Sequence, residues 1–336
     1  MSLERRRLDG AAQSGGAGFA GAGAEMRRAL ALAERARGKT KPNPWVGAVL
    51  VRDGEIVGEG WTEPAGSRHA EIVALAEAGE RARGATLYVT LEPCSHHGRT
   101  PPCADAVIAA GVGRVVVGAA DPNPLVGGAG LERLRAAGVD VEVVDSFEAR
   151  AQNEAYRTWV AKGRPFVVYK AAMTLDGRVT LPGSRWISGE ESRRLVHELR
   201  AQVDAVAVGM GTVRADSPRL DARDVGAERQ PRRLAFGRAP LPEGSDLELR
   251  TGPLEQELAG LADEGVQSLL LEGGPTLAAA FFAADLVDKL LVFVAPVLSG
   301  EGPTVVASLV EPRRLSRLTA RPVGEDVLLT AYVHEP

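Results

Sequence analysis

Apolar positions first fall into register at Glu25, where Met26, Ala29, Leu30 and Ala33 share one helical face and Gly38 supplies a stop. Two short apolar runs follow, Val46 to Val51 and Glu55 to Gly58, separated by Asp53-Gly54. That dipeptide predicts a hairpin with a tight turn. Period and length then predict a helix from His69 to about Arg81, a strand over Thr86 to Thr90 and a helix over Cys103 to Ala110. A strand over Arg114 to Gly118, a helix over Leu131 to Ala137 and a strand over Val141 to Val144 complete an α-β-β-α-β-α-β-α-β order, which defines a layered α/β domain.

The stretch Phe147 to Arg164 reads as a helical connector ending at Gly163, and Pro165 opens a new strand, Phe166 to Lys170. Downstream, Gly189 to Ala201 reads as a helix entered through Ser188, with Glu191 three residues on completing a capping box. A buried strand spans Val203 to Val208, and a strand over Ser268 to Leu271 passes through Glu272-Gly273-Gly274-Pro275 into a helix over Thr276 to Ala284. Val292 to Ala295 and Val327 to Val333 are late strands. The expected organisation is a disordered tail over 1–24, a first domain over 25–146, a connector over 147–163 and a second domain over 164–336.

At 336 residues the chain exceeds what one core usually supports, in keeping with two domains. Lys and Arg number 40 against 44 Asp and Glu, a net charge of −4, so there is no basic excess to line a nucleic-acid groove. The two cysteines do not make a secreted disulfide framework, and the Gly/Ala-rich start lacks the compact apolar run of a signal peptide or membrane anchor. A cytoplasmic location is expected. An organellar transit peptide is the rival reading of the tail, weakened by Glu4 and Asp9.

The sharpest chemical signal is His69-Ala70-Glu71 followed by Pro93-Cys94 and then Cys103. One imidazole and two thiolates suit zinc, and three protein ligands with an open fourth position mark a catalytic site, since a structural zinc takes a fourth ligand. Residues two apart on a helix do not share a face, so His69 is expected in the first helical turn, with Glu71 as general acid/base. Cys103 follows Pro101-Pro102, which favour a helix start and so a stabilised thiolate. The arrangement resembles H-x-E…P-C-x-x-C of the zinc deaminases, with eight residues rather than two between the cysteines.

Thr40-Lys41-Pro42-Asn43-Pro44-Trp45-Val46-Gly47, the segment Glu92 to Cys103, and Asp121-Pro122-Asn123-Pro124 together resemble the bifunctional deaminase-reductases of riboflavin synthesis. In the second half, Thr174-Leu175-Asp176-Gly177-Arg178, Ser184-Arg185-Trp186-Ile187-Ser188, Val208 to Val213, Asp216 to Leu220 and Leu271 to Thr276 are similar to the reductase part of that family. The resemblance implies a cytidine-deaminase-like three-layer domain followed by a dihydrofolate-reductase-like domain. It also implies a zinc ion, NADPH and a small pyrimidine nucleotide-like substrate, 2,5-diamino-6-ribosylamino-4(3H)-pyrimidinone 5′-phosphate, which is deaminated before its ribosyl group is reduced to ribityl. Neither nucleic acid nor membrane is an expected partner, and a homo-oligomer through the reductase domain is.

Carried over residue by residue, the resemblance makes His69, Cys94 and Cys103 the metal ligands and Glu71 the proton carrier. Asn43 and His96 hold the pyrimidine, and Arg99, Asp121 and Asn123 face the ribose phosphate. In the reductase half, Ser184, Arg200, Leu220, Arg223 and Glu272 hold substrate, while Lys170, Ala172, Trp186, Thr212, Asp216, Gly274, Pro275, Thr276 and Leu277 line the cofactor. Members of the family often carry histidine where this chain has Thr62, and no role is assigned there. Between Gln230 and Leu254, where the family has a strand ending in aspartate and a further strand unit, the chain has Leu234-Ala235-Phe236-Gly237-Arg238 and a short polar stretch. The expectation is a missing sheet element, and the alternative function that follows is a deaminase with a catalytically silent second domain. A nucleic-acid-editing deaminase is disfavoured by the charge balance and by an aromatic content of 4%.

Overall fold

The computed structural model describes residues 23–95, 101–123 and 127–336 and divides into two compact units between Arg157 and Thr158. Apart from its last two residues, the expected tail lies outside the described residues.

The first unit runs α1 (Ala24–Ala33), β1 (Gly47–Arg52), β2 (Glu55–Trp61), α2 (Ala70–Ala78), β3 (Thr86–Val89), α3 (Cys103–Ala109), β4 (Arg114–Val117), α4 (Ala129–Ala136), β5 (Asp140–Val143) and α5 (Phe147–Gln152). Its sheet has the order β2-β1-β3-β4-β5, with β1 antiparallel to both neighbours and β3, β4 and β5 parallel. Asp53 and Gly54 both take positive φ, 54° and 82°, as the tight turn of the hairpin requires.

Strand alternation assigns the layers. Val49 of β1 packs under Met26, Ala29 and Leu30 of α1. On the same face, a Cβ on Gly47 would stand 1.9 Å from the Ala29 carbonyl oxygen. The other face carries Gly58 and Gly60, where a Cβ would meet the carbonyl oxygens of Ala74 and Ala70, each at 2.2 Å. Both helices therefore rest on bare strand backbone, α1 on one side of the sheet and α2 on the other.

The second unit contains β6 (Phe166–Thr174), α7 (Glu190–Gln202), β7 (Ala205–Gly209), α8 (Met210–Asp216), β8 (Arg232–Phe236), β9 (Glu248–Arg250) and α9 (Leu254–Asp263). It continues with β10 (Ser268–Leu271), α10 (Pro275–Ala283), β11 (Lys289–Ala295), β12 (Ser316–Val323) and β13 (Asp326–Tyr332). The sheet order is β12-β13-β11-β6-β10-β7-β8-β9, parallel from β11 to β9, with β13 antiparallel to β11 and β12. Tyr169, Ala207, Phe236 and Leu271 pack against Leu258 and Leu261 of α9 and Phe281 and Phe282 of α10. Val206, Val208 and Leu270 project to the opposite face, toward Val213 of α8 and Leu199 of α7.

Several expectations are corrected. The segment after Gln230 is not a bare polar stretch: it supplies two strands, β8 and β9, at the sheet edge. The polar stretch forms a strand because Arg232 pairs through two nitrogens with Glu248, at 3.0 and 2.5 Å, and also reaches Glu264. The connector is two helices, α5 and α6 (Glu154–Lys162), broken at Asn153. Ser188 does not cap α7; Gly189 is the N-cap, and its N–H donates to the buried carboxylate of Asp326 at 2.8 Å. β6 runs on past Lys170 to Thr174.

Candidate active site

Because β1 is antiparallel to β3, the loop before β1 and the loops after β2, β3 and β4 gather at one end of the first sheet. His69 closes the loop after β2. It is the extended N-cap residue of α2 rather than part of the first turn, because φ −78° and ψ 163° turn its ring away from the helix while Glu71 enters the helix. Cys94 leaves β3 and Cys103 begins α3. His69 Nδ1 lies 3.7 Å from Cys94 Sγ and 3.2 Å from Cys103 Sγ, and all three donor atoms lie within 4.8 Å of one another. One imidazole and two converging thiols fit a borderline-soft divalent metal with a fourth position left open. The hydrogen bond from Cys103 holds the Cys94 thiol down to about 4, whereas that contact and burial push Cys103 up. Glu71, 3% exposed beside them, is pushed up to about 7 by burial and by the neighbouring Cys94 charge.

The Cys94 carbonyl accepts the Ala104 N–H at 3.1 Å and its Sγ accepts the Cys103 N–H at 3.4 Å, so the start of α3 grips the ligand loop. Asn43 stands at the same end of the sheet in a turn closed by Thr40, whose hydroxyl donates to the Asn43 carbonyl at 3.0 Å. Asp121 is buried, with its carboxylate accepting the Asn123 N–H at 2.9 Å and the Tyr156 hydroxyl at 3.2 Å. His96 and Arg99 lie outside the described residues.

Three positions escaped sequence reasoning. Asn153, at the α5–α6 break, accepts the Trp45 N–H through Oδ1 and donates through Nδ2 to the Trp45 carbonyl, both at 2.8 Å. Tyr156 holds Asp121, and Arg157 donates to the Ala120 carbonyl at 2.8 Å. The connector helices thus steady both loops flanking the His69–Cys94–Cys103 cluster, and only an asparagine breaking an apolar helical period hinted at it.

In the second unit the chain leaves β7 through α8 toward β8 and leaves β10 through α10 toward β11, opposite directions that open a crevice at the carboxyl ends of these strands. Glu272 stands there immediately after β10, its side chain 8% exposed, with Arg200 Nε at 2.6 Å and Nη2 at 3.0 Å and Lys170 Nζ at 3.6 Å. Burial alone would push the Glu272 carboxyl up, but the Lys170 and Arg200 cations hold it below its usual value. Arg200 Nη1 donates to the Asp221 carbonyl at 3.1 Å, and Arg223 pairs with the Asp221 carboxylate at 2.5 Å. Gly274 caps α10 with Pro275 in the first turn, and a Cβ on Gly274 would stand 3.6 Å from Thr212 Oγ1.

The remaining expected site residues have the following surroundings. Leu277 covers Gly273, where a Cβ would meet it at 2.8 Å, and Thr276 is exposed. Asp216 is the exposed last residue of α8. Ser184 Oγ donates to the Trp186 carbonyl at 2.7 Å, and the half-exposed Trp186 ring lies under the guanidinium groups of Arg185 and Arg193. Leu220 is buried at a positive φ of 54°, and Ala172 packs with Val196, Leu291 and Phe293.

The fold and its sites define an enzyme of two parts, a deaminase unit with a His/Cys/Cys cluster able to hold a metal and a reductase unit built on a mostly parallel sheet. Residues 23–119 match the cytidine and deoxycytidylate deaminase zinc-binding region, and residues 165–329 match the RibD C-terminal domain. The chain is 42% identical to the riboflavin biosynthesis protein RibD of Aquifex aeolicus over 90% of its own length and 96% of the relative's. It superposes on Acinetobacter baumannii RibD with a TM-score of 0.82 at 36% identity, covering 92% of this chain and 97% of that one. A diaminohydroxyphosphoribosylaminopyrimidine deaminase/5-amino-6-(5-phosphoribosylamino)uracil reductase from Thermotoga maritima superposes with a TM-score of 0.79 at 34% identity, with the same coverage. The chain belongs to the RibD family of riboflavin biosynthesis proteins, and it is a bifunctional deaminase and reductase.

Proposed function

We propose that His69, Cys94 and Cys103 hold zinc, and that the first unit hydrolytically deaminates 2,5-diamino-6-ribosylamino-4(3H)-pyrimidinone 5′-phosphate. The observation that carries this reading is the convergence of the three donor atoms within 4.8 Å beside a buried carboxyl. Zinc bound there supplies a Lewis acid and a water acidic enough to react near neutral pH. Glu71, held up to about 7, carries one proton from the attacking water to the ring nitrogen and then a second, from the hydroxyl so formed on the ring carbon, to the amine that departs as ammonia. Asn43 and His96 hold the pyrimidine, and Arg99, Asp121 and Asn123 serve the ribose-phosphate end, Asp121 by shaping the loop that its bonds to Asn123 and Tyr156 fix.

The second unit uses NADPH to reduce the ribosyl group to ribityl. Lys170, Ala172, Trp186, Thr212, Asp216 and Gly274 through Leu277 form the cofactor side, with Gly274 at a helix start suited to a phosphate. Ser184, Arg200, Leu220, Arg223 and Glu272 form the substrate side, where guanidinium forks match phosphate or carboxylate oxygens. A complete sheet edge at β8 and β9 and the ordered Lys170–Glu272–Arg200 cluster favour an active reductase over a silent one.

The catalytic domains are taken as 25–146 and 164–336, joined by a connector. Metal-binding thiols that must stay reduced support a cytoplasmic location. Among the described residues no helix is long and apolar enough to cross a membrane. Edge strand β12, with Leu318 67% exposed, supports assembly into a homo-oligomer through the reductase unit. The deciding experiment follows ammonia release and NADPH absorbance together on the ribosylaminopyrimidine phosphate. Equal rates of both support the reading; ammonia alone leaves a deaminase with a silent partner domain, and neither product overturns it.

A further inference from the structure

We propose that Glu92 is a positioning residue that fixes the Cys94 thiolate in the metal centre, an inference that rests on the reading of His69, Cys94 and Cys103 as metal ligands. Glu92 precedes Cys94 by two residues in the segment leaving β3 and is 4% exposed. Its Oε2 accepts the backbone N–H groups of Asp121 at 3.3 Å and Gly128 at 3.1 Å, and its Oε1 accepts that of Gly130 at 3.1 Å. Gly128 is the N-cap of α4, with φ 84°, and Gly130 lies in the first turn. The carboxylate therefore takes amides that the helix start leaves without internal partners, at the end of the helix dipole that favours negative charge.

Pro93 is seated on the same turn: a Cβ on Gly130 would stand 2.1 Å from the Pro93 carbonyl oxygen. Cys94 comes next, with its carbonyl and Sγ already taken by the amides of Ala104 and Cys103. The ligand is thus clamped between the starts of two helices, α4 acting through Glu92 and α3 acting directly. Among the described residues the three groups on the Glu92 carboxylate are all donors, so both oxygens must accept. A glutamine of the same shape would turn an NH₂ group toward at least one N–H, so the chemistry of the side chain matters beyond its volume.

The test compares cobalt(II)-loaded wild-type chain with Glu92→Gln and Gly130→Ala, the second of which keeps the carboxylate but drives α4 off Pro93. The readouts are the visible ligand-field band of the bound cobalt and its rate of release to a chelator, with folding checked by circular dichroism. We expect a shifted band and release faster by about 10–100-fold in both variants, the range typical when groups that orient a metal ligand are altered. NADPH oxidation on already deaminated substrate should stay at the wild-type rate. Glu92→Gln folded and showing the wild-type band and release rate would overturn the proposal. If Glu92→Gln does not fold, Gly130→Ala decides alone by the same criterion. A wild-type chain that takes up no cobalt would instead refute the metal reading on which this one rests.

Discussion

Arg200 grips Glu272 through two nitrogens, at 2.6 and 3.0 Å, in a crevice where Lys170 stands 3.6 Å from the same carboxylate. The two cations share one buried anion, so removing it leaves both uncompensated. Glu272→Gln is expected to cost about 3 kcal/mol in the denaturant unfolding of the second unit. It should also abolish NADPH oxidation while ammonia release continues at the wild-type rate. Arg200→Lys should lose the same activity with a smaller stability cost, because an ammonium cannot span both oxygens.

Glu71→Gln keeps the shape of the side chain but cannot carry a proton. Metal content should match wild type, and ammonia release should fall by about 10²–10⁴-fold. Metal removal by dialysis against a chelator should give the same loss without affecting NADPH oxidation on deaminated substrate. Near-normal deamination by Glu71→Gln would assign the proton transfers elsewhere.

Gly60→Ala tests the bare-backbone seat of α2. The new methyl would stand 2.2 Å from the Ala70 carbonyl oxygen and 2.7 Å from the Ala74 nitrogen, so the helix must move. Overpacking of this kind costs about 1–3 kcal/mol. Ala70 lies between His69 and Glu71, so thermal melts should show the lost stability and metal titration a weaker site. Wild-type metal affinity in this variant would mean that α2 tolerates displacement.

Asp176 carries an acid-sensitive contact. Its carboxyl is held down to about 2, from an ordinary value near 3.8, by the Thr174 hydroxyl and by the Ser299 and Gly300 amides. Because the folded value is depressed, the stabilisation is complete above about pH 4 and is lost as the pH falls toward 2. Wild type should therefore be more stable than Asp176→Asn at pH 6 and lose that advantage at pH 2. A difference between the two proteins that does not change with pH would show that the bonds do not depend on charge.

The element order of the first unit was legible because Asp53-Gly54, the α1 period and the short apolar strands each have a local cause. The His69, Cys94 and Cys103 cluster was legible for a different reason: few residue types bind soft metals, and three of them stood at telling spacings. What stayed hidden depends on partners distant in sequence. β9 is one leucine between two charged residues that pair with β8 and α9, and the outward-facing residues of β12 show no alternation to read. The N–H of Gly189, the N-cap of α7, goes to Asp326, 137 residues further on, so the local Ser188–Glu191 pattern pointed to the wrong acceptor. Glu92 is a buried acid whose partners among the described residues are backbone amides, and backbone amides leave no trace in side-chain identity.

Asn153 bears on how genes for the two activities can be separated. Its amide serves Trp45 as a neighbouring strand would, accepting from the N–H and donating to the carbonyl, and Arg157 does related work at Ala120. A gene cut where β5 ends would yield a chain that keeps His69, Cys94 and Cys103 but leaves the Trp45 N–H and carbonyl without the Asn153 amide. Fission into two polypeptides, whether by evolution or by cloning, keeps these bonds in the first chain only where the breakpoint falls beyond Arg157.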